Sequence, residues 1–117
     1  MKRYRSEQIA ELLKEEISEI INYELNDPRI QPSVIFHVKV SSDLQHARVY
    51  VSLTGSPETV DQTVKALNHA AEYVRHQLYS RLYLRIVPRL TFIYDDSLEA
   101  AARIEQLLAQ THNTSTE

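Results

Sequence analysis

Residues 34–53 read VIFHVKVSSDLQHARVYVSL, and the fold turns on what this stretch is. Apolar residues recur at alternate positions on both sides of a polar centre. Period two marks a strand with one buried face. Val34, Phe36, Val38 and Val40 are therefore expected to point inward, with Ile35, His37 and Lys39 outward. In the second half Ala47, Val49, Val51 and Leu53 point inward, and Arg48, Tyr50 and Ser52 outward. The link from Ser41 to Gln45 is short, so the two strands form an antiparallel hairpin. Asp43 is placed to cap its turn.

On both sides of the hairpin the period changes to that of a helix. Upstream, Ile9, Leu12, Leu13, Ile17, Ile20, Ile21 and Leu25 predict an amphipathic helix over 6–25. Ser6 is its candidate N-cap, and Glu7, Glu11, Glu15 and Glu19 give it an acidic outer face. Asn26-Asp27-Pro28 stops it, because proline disfavours α geometry in the preceding residue. Downstream, Ser56-Pro57 is a helix start, serine capping and proline in the first turn. The stripe Val60, Val64, Leu67, Ala71, Val74, Leu78 and Leu82 is long enough to predict a bend or two consecutive helices. Leu84, Ile86, Leu90 and Phe92 predict a third strand. Pro88 has no N–H for a ladder and places that strand at an edge or a bulge. A last helix is expected from about Ser97 to Ala109, with apolar positions at Leu98, Ala101, Ile104 and Leu108. The fold class is thus α+β, a three-stranded sheet with helices packed on one face. It occupies one domain, residues 1–110, with 111–117 a disordered polar tail.

Composition narrows the chemistry. The chain has 117 residues, no cysteine and a net charge of -3. Disulfides, thiolate metal sites and cysteine nucleophiles are excluded. The one glycine, Gly55, cannot supply the glycine-rich loops that cradle nucleotide phosphates. No apolar run approaches the ~20 residues of a membrane span. The basic start (Lys2, Arg3, Arg5) has no apolar region behind it, so the expected location is the cytoplasm.

Two features compete as sites. Near the C-terminus, YDDSLE (94–99) pairs Asp95 and Asp96 with Ser97 and Glu99. Asp96 and Glu99 fit a capping box, in which an aspartate accepts from helix N–H groups and a glutamate reaches back. The histidines do not suggest a metal: His69 and His76 are seven apart, about 10 Å along a helix axis. More informative is Tyr73 to Ile93, which contains no acidic residue although the chain has 16. It carries Arg75, His76, Arg81, Arg85 and Arg89, interleaved with Tyr73, Tyr79 and Tyr83. Arginine makes forked contacts to phosphate, and tyrosine offers a face to bases. Arg85 and Arg89 are expected on the outer sheet face with Thr91 and Ile93. Lys2, Arg3 and Arg5 add a basic arm. The residues alone leave a second interpretation open: the tyrosines pack inside and the arginines pair with glutamates of the first helix.

Four stretches carry a family resemblance: NDPRI (26–30), VSSDLQHARVYVSL (40–53), LNHAAEYVRHQL (67–78) and LRIVPRLTFIYDDSLE (84–99). In this order they resemble the ribosome-binding factor A family, over roughly 5–107. The resemblance implies a type II K-homology-like fold of order α-β-β-α-α-β plus a C-terminal helix. It also implies a non-catalytic factor; no cofactor or metal is expected, and nothing in the sequence demands more than a monomer. Its expected partners are the small (30S) ribosomal subunit and 16S rRNA, whose processing and late maturation it assists, notably in the cold. The family's Ala-x-Gly kink falls on Ala70, Ala71 and Glu72, so this chain has glutamate where the family has glycine. It also has Gln31-Pro32 after Ile30, where the family usually has glycine. Arg75, His76 and Arg81 follow the kink and are the implied RNA-facing residues. Arg29 is expected to tie down the end of the first helix. A protein–protein adaptor using the acidic helix or a sheet edge is the alternative function, and a hydrolase using Asp95 and Asp96 a third.

Overall fold

The computed structural model describes the backbone of residues 5–115 and, within that span, the side chains of all but 98, 99 and 110–115. Its elements are α1 (Ser6–Glu19), a π-helical turn (Ile20–Glu24), β1 (Val34–Val40), β2 (His46–Ser52), α2 (Pro57–His69), α3 (Ala71–Leu82), β3 (Arg89–Tyr94) and α4 (Leu98–Ser115). The sheet order is β1-β2-β3, antiparallel between β1 and β2 and parallel between β2 and β3. A parallel neighbour needs a crossover connection, and α2 and α3 supply it. They pack on the same sheet as α1. Ile17, Leu13, Leu67, Val74, Leu78, Val49, Val51 and Phe92 form the centre of the shared core. The α+β class and its element order are as the sequence predicts.

The first helix departs from expectation at both ends. Ser6 is its first residue and Arg5 the cap; the Arg5 N–H donates to Gln8 Oε1 at 2.9 Å. Beyond Glu19 the helix widens into the π turn before Leu25 becomes extended. Asn22 in that turn acts like a short strand. Its amide donates to the Ser33 carbonyl at 3.0 Å and accepts from the Ser33 N–H at 3.1 Å. Asp27 and Arg29 form the expected tie: Arg29 donates to Asp27 through Nε at 3.1 Å, Nη2 at 2.7 Å and its backbone N–H at 2.9 Å. That guanidinium holds the Asp27 carboxyl down from 3.8 to about 2. The Arg29 carbonyl in turn accepts from buried Thr63 on α2, at 3.1 Å.

In β1 the alternation shifts phase. Ile35 pairs with Val51 and His37 with Tyr50, so Phe36 is an extra residue in a bulge. A bulge inserts one residue and reverses the faces before it. Ile35 is therefore buried, while Val34 and Phe36 are only half-buried, contrary to the inward set expected there. In the hairpin Asp43 caps the turn as expected, accepting from Ser41 Oγ at 2.6 Å and the Gln45 N–H at 3.1 Å.

The long helical stripe divides at Ala70, whose backbone sits at φ -88, ψ 0. The residue that leaves α geometry is alanine, in the bridge region at negative φ, which does not require glycine. Glutamate at 72 therefore does not prevent the break. The third strand begins at Arg89 rather than Leu84. Residues 84–88 form a connection in which Val87 is buried and Ile86 exposed, the reverse of the expected pattern. Pro88 marks the boundary because it has no N–H to donate. Asn68 on α2 covers the outer edge of β3, its amide accepting from the Phe92 N–H at 2.8 Å and donating to the Phe92 carbonyl at 2.9 Å.

Ser97, not Asp96, caps α4. Its Oγ accepts from the Ala100 N–H at 3.2 Å, while Asp95 accepts from the Ser97 N–H at 2.9 Å. The helix thus starts one residue later than a box on Asp96 requires, and the Glu99 side chain lies outside those described. Ala100, rather than Ala101, is buried. The helix continues past Ala109 to Ser115; residues 116 and 117 lie outside the described residues.

Candidate nucleic-acid interface

The predicted basic residues fall into three environments. Arg75 and Arg81 lie on α3, whose buried face is Ala71, Val74 and Leu78. Arg75 Nε donates to the Val87 carbonyl at 3.0 Å and so pins the connection into β3. Its Nη1 lies 3.7 Å from Glu72 Oε2, and its guanidinium carbon 5.9 Å from the centre of the Tyr79 ring. Arg81 bridges to α1, with Nη1 3.1 Å from Glu16 Oε2 and Nη2 hydrogen-bonded to Glu24 Oε2. These carboxylates, Glu16 foremost, raise the Arg81 pKa. The pairing of arginines with glutamates thus holds for Arg81, but the tyrosines are not inside. Tyr73, Tyr79 and Tyr83 are exposed, Tyr83 at 91%.

His76, Arg85 and Arg89 are exposed. Arg85 sits in the connection before β3, so it does not share the sheet face with Thr91 and Ile93 as expected; the strand starts after it. Arg89 does, opposite His46 in the ladder. The basic arm is only partly in view: Arg5 caps α1, and Lys2 and Arg3 lie outside the described residues.

Two further cations lie outside the acid-free run. Lys39 and Arg48 are exposed and directly opposed across β1 and β2. They are separated in sequence by the hairpin and its Asp43, which hides them from a linear scan. Their outward phase was the available signal. Asp95 and Asp96 stand at the start of α4, and among the described residues no group of three or more His, Cys, Asp or Glu is arranged to hold a metal ion. Nor, among those residues, is any helix long and apolar enough to cross a membrane.

Exposed arginine, lysine and tyrosine on an α+β scaffold, with strands free of Asp and Glu, fit a domain of the nucleic-acid-binding class. Comparison with known proteins makes this particular. The family model for ribosome-binding factor A matches residues 5–108. Ribosome-binding factor A of Staphylococcus epidermidis is 39% identical over 112 residues, covering 96% of this chain and 97% of that one. The crystal structure of ribosome-binding factor A from Thermus thermophilus superposes with a TM-score of 0.67 at 28% identity, covering 76% of this chain and 93% of that one. A homology model of the Thermus thermophilus factor, fitted into a cryo-EM map of a 30S complex, superposes with a TM-score of 0.60 at 28% identity, over 72% and 88% of the two chains. The chain belongs to the ribosome-binding factor A family. It is a ribosome-binding factor and not an enzyme.

Proposed function

We propose that this chain binds the 30S ribosomal subunit in the cytoplasm and assists 16S rRNA processing and late subunit maturation, acting as a monomer. The observation that carries this reading is the family match over 5–108, nearly the whole folded region. The 30S complex of the Thermus thermophilus relative supports the choice of subunit. Residues 1–110 serve as one binding domain.

Within this reading the exposed His76, Arg85 and Arg89 meet rRNA phosphates, and the Lys2-Arg3-Arg5 arm adds positive charge. Arg75 and Arg81 are already committed to Val87, Glu16 and Glu24. Arg75 holds the connection carrying Arg85 in place, and Arg81 joins α3 to the first helical region. Tyr83, left-handed at φ 53 at the end of α3 and 91% exposed, offers a ring two residues before Arg85 in the chain.

Co-sedimentation with purified small and large subunits over a salt series tests the proposal. Binding to small subunits alone is expected, falling steeply with salt because each phosphate contact releases a counterion. The Arg85→Ala/Arg89→Ala variant is expected to lose binding more than Arg75→Ala does. No association with small subunits at low salt would overturn the reading.

A further inference from the structure

α1, α2 and α3 pack on one face of the sheet, and α4 meets β2 near its Ser52 end, leaving the other face open toward the hairpin. Ladder pairing arranges that open face into rows. His46 stands beside Arg89; Lys39, Arg48 and Thr91 form the next row; His37, Tyr50 and Ile93 form the third. Successive rows lie about 7 Å apart along the strands. None of the three strands contains an Asp or Glu. Among the described residues, Lys39, Arg48 and Arg89 have no acidic partner within ion-pair distance. This contrasts with Arg29, Lys65, Arg75 and Arg81, each of which has one. The carboxylate of Asp43 at the hairpin is engaged by Ser41 and Gln45.

The third row differs from the first two. The His37 and Tyr50 rings lie 5.9 Å apart, tilted by 31°, with half-buried Ile93 on the far side of Tyr50. At the hairpin end, Lys39, Val40, Ser41, His46 and Arg48 line a shallow cleft of about 370 Å³. Beyond the ring row the face closes, because Ser52 is buried and donates to the Asp95 carbonyl at 2.8 Å.

We infer that this sheet face is a platform for single-stranded RNA that extends the contact proposed above from Arg89 across β2 and β1, resting on that reading for its rRNA source. Phosphates sit on the Lys39–Arg48 row and in the cation-lined cleft. A base stacks on the His37–Tyr50 pair. Charge complementarity selects a polyanion, and the ring row selects exposed bases over a closed duplex, whose bases offer no free face. A helix-covered face opposite an open sheet face carrying aromatic and basic side chains is the arrangement by which sheet-based RNA modules bind unpaired strands.

The test is fluorescence anisotropy with labelled single-stranded oligouridylate and oligoadenylate, and with a duplex of the two, over a salt series. Lys39→Ala/Arg48→Ala is expected to weaken single-strand binding about tenfold and to flatten the log–log salt slope by about 1.4, two contacts at ~0.7 each. Tyr50→Leu is expected to weaken it severalfold with the slope unchanged, which a purely electrostatic surface would not do. Both variants are compared with the parent by circular dichroism to show an intact fold. Unchanged affinity and slope in the double variant, or equal affinity for duplex, would overturn the inference. The same proteins are then sedimented with small subunits. If the parent binds and the double variant binds equally well, the platform is not used and the inference fails. A double variant that keeps its RNA affinity but loses the subunit points to a ribosomal protein instead, and also overturns it. If the parent itself does not bind, the functional reading fails, while the oligonucleotide result judges the platform separately.

Discussion

Arg48 and Val49 are neighbours in β2, yet Val49 is fully buried beneath the helices and Arg48 stands exposed beside Lys39. Arg81, on α3, shows a third situation: it is the same side chain as Arg48, but two carboxylates of the first helical region hold it. Residue type therefore does not decide whether a cation is available to a ligand. What decides is whether the fold brings an acid to it. Lys39, Arg48 and Arg89 keep their charge for an external partner, whereas Arg81 uses its charge to join α3 to α1. The inner sheet face stabilises by excluding water, and the outer face is left to recruit.

The strongest way to break this contrast is to cut into the inner face. Phe92→Ala is expected to lower unfolding free energy by about 3–5 kcal/mol. Lys39→Ala and Arg48→Ala, on the outer face, should each stay within about 0.5 kcal/mol. Urea unfolding of the three variants measures both; similar losses on the two faces would show that the outer face is structural after all.

A smaller effect is expected at the sheet edge. Asn68→Ala leaves the Phe92 N–H and carbonyl without their amide partner and should cost about 1–3 kcal/mol. Amide exchange at Phe92 should speed up by more than exchange in β1. At the head of α4, Ser97→Ala should cost about 1 kcal/mol and Asp96→Ala much less, since Ser97 is the residue that caps. A larger loss from Asp96→Ala would restore Asp96 as the cap.

The smallest expected effect lies in acid. Asp27 titrates at about 2 in the folded chain, against an ordinary 3.8, chiefly because Arg29 hydrogen-bonds its carboxylate. A lowered folded pKa contributes stability that is present above 3.8 and lost as pH falls through about 2. Arg29→Ala should return the Asp27 titration, followed by carboxyl NMR shifts, toward 3.8. It should also flatten the dependence of stability on pH in that window.

Much of this fold was legible in the residues. The hairpin was readable because alternation from Ala47 to Leu53 is local and strict. Ser56-Pro57 marked the start of α2 because capping involves only adjacent residues, and Ser56 Oγ does accept from the Thr59 N–H at 3.2 Å. The site was read less completely. Tyr73 to Ile93 stood out because its charge is segregated along the chain, and His76, Arg85 and Arg89 in it are exposed. Lys39 and Arg48 did not stand out, since only strand pairing makes them neighbours. Arg75 and Arg81 were indistinguishable in sequence from freely available arginines, because Val87 and Glu16 are distant along the chain and close only in the fold.

By itself the sequence determined the period of each element, the order of helices and strands, and the absence of thiol and glycine-loop chemistry. These follow from interactions within a few residues and from composition. The tertiary structure alone decided the bulge at Phe36, the edge cover by Asn68 and the division of cations into paired and unpaired. Each of these depends on a contact between distant parts of the chain, such as Asn68 with Phe92 or Arg81 with Glu16. Residue spacing carries no record of such contacts until packing makes them.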